Sequence, residues 1–278
     1  MKKPYLLLLS LFAFLPNLNA KMLIVTTTVP LANITKSIAK DSAEIIPLIP
    51  PGTSPHTFYP TPETVKRTNM ADLFIMNGAG LDFWAKKLVN KNKHSLTMSS
   101  FVPLIKGEDG KGYNPHIWLS VSNVKIFAAI IDSALCSIDP ADSLYYNHNK
   151  LLFIKRLDSL DIAIKKRLAT HKNKYIVLFH PSLIYFDREY GIKEVAIIEK
   201  SPGKEPTPRE IMNIIDKVRK YKIKVLFAEP QLNSKAVKVI ASETGAKLDY
   251  IDPIGNFNED YINFLNNNFL KIEKSFNE

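Results

Sequence analysis

The sequence predicts an α/β protein of two lobes, each a mostly parallel sheet flanked by helices, joined by one long rigid helix. Three observations support this fold class. Short apolar runs rich in β-branched residues alternate with helical patterns, which is typical of βαβ units. A second series of the same kind follows the first. Between them lies a helical pattern that neither glycine nor proline interrupts after Pro140.

The first twenty residues are predicted to be a signal peptide. Lys2 and Lys3 precede an apolar run over residues 5–15, and small or polar residues then lead to Ala20, which is the order of a secretory signal. The run is shorter than the roughly 20 residues of a membrane span. No later segment reaches that length without charges. We therefore expect cleavage after Ala20 and a soluble protein in a bacterial periplasm.

The first lobe is predicted over residues 21–138. Its strands are expected at short β-branched or aromatic runs, and its helices where apolar residues recur every three or four positions. In chain order, the sequence predicts strand MLIVTTTV, helix LANITKSIAK, strand AEIIPLI, capped helix TPETVKRTNMA, strand DLFIMN, helix LDFWAKKLVN, weak strand HSLTM and helix VKIFAAIIDSAL.

Residues 139–172 are predicted to form the connecting helix. Pro140 lies near its start, and Asp139 or Asp142 can cap it. The pattern predicts about 30 residues, or about 45 Å at 1.5 Å per residue. Such a helix is a strut that would resist wide opening of the two lobes. Its apolar positions recur at helical spacing, at Leu144, Leu151, Ile154, Leu157, Ile164 and Leu168.

The second lobe is predicted over residues 173–278 by the same patterns. In chain order, the sequence predicts strand KYIVLFH, helix SLIYFDREY, strand EVAIIE, helix TPREIMNIIDKVRKY, strand KVLFAE, helix SKAVKVIASETG, strand KLDYID and a last helix from about Glu259.

Charge and cysteine content argue against a nucleic-acid-binding protein and against a protein held by disulfides or a lipid anchor. The formal charge is +10, or +8 once Lys2 and Lys3 are removed, but the lysines are scattered and no basic motif with interleaved aromatic residues occurs. Nucleic acid is therefore not an expected partner. Cys136 is the single cysteine and lies outside the leader. We expect neither an internal disulfide nor a lipid-anchor cysteine at the cleavage site, and a fold stabilised by its own core.

Three of the six histidines lie where a ligand site is expected. His180 ends the strand KYIVLFH, His56 lies in the proline-rich loop after AEIIPLI, and His116 lies in the turn NPHIWLS. Ligands of open α/β sheets bind outside the carboxyl ends of the strands. The remaining histidines are expected at surface or structural positions: His94, His148 and His171.

Asp252 occupies the same kind of position, after the strand KLDYI and before Pro253. Alone, such an Asp-Pro pair is usually a turn-former. Together with three neutral imidazoles, its carboxylate can complete a four-coordinate shell around a zinc-sized ion. Pro115 and Trp118 are expected to hold His116 at a fixed angle. Because each imidazole must be neutral to bind, ordinary histidine pKa values near 6.5 predict weaker metal binding below about pH 6.

Several motifs on either side of the long helix carry a family resemblance: PPGTSPHTFYPTP, NPHIWLS, LFHPSLIYFDREYGI, KSPGKEPTPREI, FAEPQ and ASETGAKLDYIDPIG. In combination they resemble the metal-specific substrate-binding proteins of bacterial ABC importers, closest to the zinc-binding branch. The resemblance covers essentially the whole mature chain. It implies a periplasmic receptor, expected as a monomer, that captures one Zn²⁺ ion between two lobes and delivers it to a membrane permease without catalysis.

Carried over position by position, the resemblance places the metal ligands on His56, His116, His180 and Asp252. Manganese-type relatives have a carboxylate at the third position, so His180 gives a nitrogen-rich site that favours zinc. The chain departs from the zinc branch in having only KGEDGKGY where many members carry a long histidine-rich loop. Pro55 also replaces a glutamate that some members use as a ligand, which leaves Asp252 or a water as the fourth ligand.

Three alternatives are weighed against the zinc receptor. A manganese or iron receptor of the same fold would use the same positions. A zinc hydrolase would need a general base; no HExxH motif occurs, although Glu199 or Glu229 could be considered for that role. In an adhesin or assembly protein, the histidines would be core or capping residues.

Overall fold

A computed structural model of the protein describes residues 21–91, 94–108, 110, 112–201, 203–232 and 235–277. The predicted signal peptide and Ser234, where one predicted helix begins, lie outside the described residues.

The first sheet is parallel, with strand order β2-β1-β3-β4. Helix α2 begins at the predicted cap, where Thr61 accepts from the backbone N–H of Thr64. The elements are β1 (Met22–Thr26), α1 (Val29–Ala39), β2 (Ala43–Pro47), α2 (Pro62–Met70), β3 (Leu73–Met76), β4 (Ser95–Thr97) and α3 (Val121–Ile138).

One predicted element of this lobe differs. The segment LDFWAKKLVN forms turns and a short 3₁₀ helix, Ala85–Lys91, instead of an α-helix. The Asp82 carboxylate accepts hydrogen bonds from the backbone of Asn77 (2.7 Å) and Gly78 (2.9 Å). An Asp side chain bonded to the backbone in this way competes with helical hydrogen bonding, so the chain turns here.

The second sheet is also parallel, and its order β6-β5-β7-β8 repeats that of the first. In both sheets the first strand lies between the second and the third, so the switch point where ligands bind lies beside β1 in one sheet and beside β5 in the other. The elements are β5 (Tyr175–Leu178), α5 (Ile184–Tyr190), β6 (Lys193–Ile197), α6 (Pro208–Lys220), β7 (Val225–Ala228), α7 (Lys235–Thr244), β8 (Lys247–Tyr250) and α8 (Tyr261–Ser275).

Helix α4 (Ser143–Leu168) is the predicted strut between the two sheets. Its 26 residues span about 39 Å at 1.5 Å per residue, and it packs against α1, α3 and α8. Among the described helices, only α3 is long and apolar enough to cross a membrane by length and composition. However, α3 packs into the core, and its Asp132 accepts from Lys150 of α4 at 2.7 Å.

The C-terminal segment ties the two sheets together. Helix α8 packs against α1 and α4, and Asn33 of α1 donates to the Asn256 carbonyl at 2.8 Å. The guanidinium of Arg156 in α4 binds both carboxylate oxygens of Asp260 at 2.8 and 2.9 Å. One buried apolar cluster contains residues of both sheets, including Ile24 and Ile176. The edges of the two sheets that carry the loops are therefore held in a fixed relation.

Candidate metal centre

The structure brings together three of the histidines that the sequence singled out. One ring nitrogen of each of His56, His116 and His180 lies within 4.8 Å of those of the other two. The three ring centroids are 4.9 to 5.3 Å apart. No other group of three or more His, Cys, Asp or Glu ligand atoms at this spacing occurs in the described part of the chain.

His56 is supplied by the proline-rich loop after β2. The start of that loop is anchored to β1, because the backbone N–H of Leu48 donates to Thr26 (2.8 Å) and that of Ile49 donates to Thr27 (3.2 Å). A turn at Gly52, whose φ is +77°, then reverses the chain. The loop thus extends from the carboxyl end of the sheet and returns His56 over it.

His116 is held from both sides of its turn. The Asn114 side-chain oxygen accepts from the His116 backbone N–H at 3.0 Å, and Trp118 is fully buried with its ring centroid 5.2 Å from that of His116. The indole Nε1 donates to the Pro253 carbonyl at 2.7 Å. Trp118 therefore holds the imidazole and connects its turn to the loop that carries Asp252.

His180 follows β5 at the switch point of the second sheet. The Phe179 N–H donates to the Phe227 carbonyl at 2.7 Å, which continues the pairing with β7 up to the histidine. The Ser182 N–H then donates to the His180 carbonyl at 2.8 Å and closes the turn. Pairing on one side and a tight turn on the other fix the direction of the imidazole.

Burial keeps the three imidazoles neutral. It lowers the pKa of His56 to about 4, and burial together with the neighbouring His56 lowers the pKa of His180 to about 3. Burial, His56 and His180 also hold the pKa of His116 well below its ordinary value. Neutral imidazole is the form that binds metal. Protons therefore begin to compete at a lower pH than the value near 6 expected from ordinary pKa values.

The spacing and bonding of the rings suit a metal ion. Two imidazoles on a tetrahedral zinc, with Zn–N bonds of about 2.0–2.1 Å, have nitrogens about 3.3–3.4 Å apart; His56 Nε2 and His116 Nε2 are 3.3 Å apart. Both ring nitrogens of His180 are buried and have no hydrogen-bond partner in the described structure. An unsatisfied buried polar group costs about 1–3 kcal/mol, and coordination would remove that cost.

The profile of the family described as "Zinc-uptake complex component A periplasmic" (ZnuA) matches residues 24–275. The chain belongs to this family.

Proteins similar to this member of the ZnuA family have names that refer to different metals. The manganese ABC transporter substrate-binding lipoprotein PsaA of Streptococcus anginosus is 30% identical over 93% of this chain and 90% of its own length. The iron-binding protein YfeA of Yersinia pestis is 29% identical, covering 93% and 87%. The Zn(II)-bound ZnuA-like domain of Streptococcus pneumoniae AdcA is similar with a TM-score of 0.80 at 28% identity, covering 93% of this chain and 100% of that one.

Family membership establishes the type of protein. The chain is a substrate-binding receptor of a metal ABC importer: it binds a divalent metal outside the cytoplasm, works with a membrane permease and is not an enzyme. Among the described residues, the cluster of His56, His116 and His180 offers nitrogen ligands that could hold a metal ion.

Asp252 is not part of the cluster that His56, His116 and His180 form. Its Oδ1 accepts from the backbone N–H groups of Ile254 and Gly255, both at 3.0 Å, and from Gln231 Nε2 at 2.7 Å. The carboxylate thus closes the turn after β8. Its role as a metal ligand stays a prediction.

Glu229 and Ser182 form a hydrogen bond that the sequence did not predict. Glu229 directly follows β7 and accepts at 2.7 Å from the Oγ of Ser182, which lies two residues after His180. Burial raises the pKa of Glu229 to about 8 against the effect of that hydrogen bond, and the nearby carboxyl groups of Asp252 and Glu199 add to the rise. The motif FAEPQ marks Glu229, but strand-end position alone does not reveal that it supports the His180 turn.

The other histidines lie at structural or surface positions, as the sequence predicted. His94 and His148 are exposed. His171 lies just beyond α4, with its ring centroid 5.4 Å from that of Phe276.

Proposed function

We propose that the protein is a periplasmic zinc receptor that binds one Zn²⁺ ion through His56, His116 and His180 and delivers it to the permease. The observation that supports this proposal is the convergence of three neutral imidazoles, two buried and one partly buried, of which His180 has both ring nitrogens without a hydrogen-bond partner. Such a donor set binds metal through nitrogen, with no proton to displace at neutral pH.

The donor set is the reason for preferring zinc over manganese or iron. Imidazole suits zinc, copper, iron and nickel, whereas manganese is better matched by carboxylates, carbonyls and water. At any given site, zinc also binds more tightly than Mn²⁺ or Fe²⁺ in the general order of divalent metals. With a nitrogen ligand at His180, the site has at most one carboxylate among the proposed ligands.

Asp252 is proposed as the fourth ligand, and a water molecule is the alternative. Because Oδ1 already accepts three hydrogen bonds, Asp252 would bind the metal through Oδ2. The variant Asp252→Asn keeps an oxygen that can hold the turn but removes the charge. Weaker zinc binding with unchanged thermal stability would support Asp252 as a ligand, and unchanged affinity would assign the fourth position to water.

The proposed receptor is a monomer, exported through a signal peptide that is cleaved after Ala20. Residues 21–138 and 173–278 are proposed to act as two lobes joined over residues 139–172. Because α4 and α8 pack across both lobes, we propose that metal release involves small lobe movements rather than wide opening.

The test is a metal competition on the mature chain, expressed without its leader. Protein dialysed against equal free concentrations of Zn²⁺, Mn²⁺ and Fe²⁺, under anaerobic conditions, is expected to retain one zinc per chain by elemental analysis. The double variant His94→Ala/His148→Ala serves as the control, since both residues are exposed, and should retain the same zinc. Preferential retention of manganese or iron, or two comparable zinc sites by calorimetry, would contradict the proposal.

A further inference from the structure

We propose that Asn114 is a positioning residue for metal binding, which determines the ring nitrogen that His116 presents to the metal and ties the His116 turn to the His180 turn. This inference rests on the proposed role of His116 as a ligand. Asn114 is not itself a ligand in this scheme, and it acts through the hydrogen bonds of its side-chain amide.

Asn114 uses all of its polar groups. Its side chain is buried, with 3% exposure for the residue. Its backbone N–H donates to Ile105 at 2.8 Å, and its carbonyl accepts from the Tyr185 hydroxyl at 2.8 Å. Its side-chain Oδ1 accepts from both the backbone N–H and the ring of His116, and Nδ2 donates to the Pro181 carbonyl at 2.6 Å.

The orientation of the amide follows from its neighbours. A backbone N–H can only donate and a backbone carbonyl can only accept. The His116 N–H therefore requires the amide oxygen on its side, and the Pro181 carbonyl requires the amide nitrogen on the other. With the amide reversed, two donors would face each other at one end and two acceptors at the other. The network fixes the assignment of Oδ1 and Nδ2.

The orientation of the amide decides the tautomer of His116. Oδ1 lies 2.9 Å from the His116 Nδ1, and because Oδ1 is an acceptor, Nδ1 must carry the ring proton. The lone pair is then on Nε2, which lies 3.3 Å from His56 Nε2 inside the cluster. Partners of this kind fix the tautomer and ring orientation of a metal-binding histidine and raise its basicity, and their loss typically costs about 10–100-fold in metal affinity.

The amide nitrogen of Asn114 bonds to the other lobe, at the residue after His180. Pro181 directly follows His180, and it lies 67 positions along the chain from Asn114. The Tyr185 hydroxyl, which donates to Asn114, also accepts from the Ile105 N–H at 3.1 Å. These bonds link the turn of the first lobe to the start of the second. A single side chain, that of Asn114, therefore fixes the positions of the proposed ligands His116 and His180 relative to each other.

The experiment compares three variants of the mature chain. Asn114→Ala removes both halves of the amide. Asn114→Asp keeps the acceptor for His116 but loses the donor to Pro181. Asn149→Ala is the matched control, because Asn149 is also buried and donates through Nδ2 to the Ile38 carbonyl at 3.0 Å, away from the site. The readouts are the His116 tautomer in metal-free protein, from ¹⁵N-imidazole NMR, and the affinity and release rate of zinc, from chelator competition at equilibrium and over time.

We expect the wild-type His116 ring to be protonated at Nδ1 alone. Asn114→Ala should mix the two tautomers and weaken zinc binding about 10–100-fold. Asn114→Asp should keep the Nδ1–H tautomer and recover part of the affinity, while releasing zinc faster than wild type because the bond to the Pro181 carbonyl is lost. Asn149→Ala should leave the tautomer and the affinity unchanged.

Two results would overturn the inference. One is an Asn114→Ala variant with the wild-type tautomer and an affinity within about twofold of wild type. The other is an equal loss of affinity in Asn114→Ala and Asn149→Ala, which would indicate general destabilisation. If Asn114→Ala does not fold, loss of the Nδ1–H signal in Asn114→Asp would be contrary evidence. Failure of the proposed metal site can be told apart from failure of the inference about Asn114. If His116 is not a ligand, His116→Ala binds zinc like wild type. The tautomer measurement tests Asn114 separately, because it requires no metal.

Discussion

Acidification of the metal-free protein is expected to destabilise it through the buried histidines. Burial lowers the pKa of His180 from its ordinary value of 6.5 to about 3. The unfolded chain therefore binds a proton at His180 between about pH 6.5 and 3 that the folded chain does not bind. Stability contributed by the neutral ring is complete above pH 6.5 and is lost as the pH falls through this window.

The size of the effect follows from the shift. One pKa unit corresponds to 1.36 kcal/mol, so at pH 5 His180 alone should lower the free energy of unfolding by about 2 kcal/mol relative to pH 7.5. His56, whose pKa burial lowers to about 4, acts in the same direction. Glu229 acts in the opposite direction, because burial raises its pKa to about 8 and its folded state binds the extra proton as the pH falls.

The difference between two proteins removes the contribution of Glu229. Guanidinium unfolding of wild type and His180→Gln, with chelator present, is measured between pH 7.5 and 5, above the range where ordinary carboxylates titrate. Over this range the free energy of unfolding of wild type should fall by about 2 kcal/mol more than that of His180→Gln. His148→Gln, at an exposed position, should follow the wild-type pH dependence. Parallel lines for wild type and His180→Gln would refute the reasoning.

Three further outcomes are expected. His116→Ala and His180→Ala should each weaken zinc binding by more than tenfold, at least about 1.4 kcal/mol, in chelator competition, while His94→Ala and His148→Ala do not; equal effects in all four would contradict the site. His180→Glu should shift the equilibrium preference in a zinc–manganese competition toward manganese, because it replaces a nitrogen ligand by a carboxylate, and an unchanged ratio would count against His180 as a ligand. Thr207→Ala removes the side chain that accepts from the Glu210 N–H at the start of α6, so it should lower the free energy of unfolding by about 1 kcal/mol with unchanged zinc affinity; a loss of affinity would mean that α6 supports the site.

The sequence predicted the parts of the fold that depend on local patterns. Alternating apolar runs located the strands of both sheets, and the helical pattern located α4 because neither glycine nor proline interrupts it. The helix predicted around Asp82 was wrong because the Asp82 carboxylate accepts hydrogen bonds from the backbone of Asn77 and Gly78. Apolar periodicity does not reveal such side-chain bonds. The packing of α8 across α1 and α4 was also not foreseen, since an amphipathic pattern shows that a helix is covered but not by which element.

The residues of the candidate site could be predicted from the sequence, but their pKa values could not. His56, His116 and His180 could be chosen because strand-end loops of parallel sheets share one edge. Their pKa values could not be predicted, because the shifts come from burial that the loops create together. Asn114 was visible in NPHIWLS, yet its partners Pro181 and Tyr185 are distant in sequence.

Asp252 shows where position alone is insufficient. A carboxylate before a proline at the end of a strand suits a metal ligand, but it equally suits a residue that closes the turn after the strand. The structure shows the second role directly, because Oδ1 accepts from Ile254 and Gly255. The two roles are compatible, since a carboxylate has a second oxygen and an ion bound there would meet a group already fixed by the turn. A turn-closing Asp is therefore a suitable supplier of a fourth ligand, because the backbone bonds that make it look structural also hold it in place for a metal.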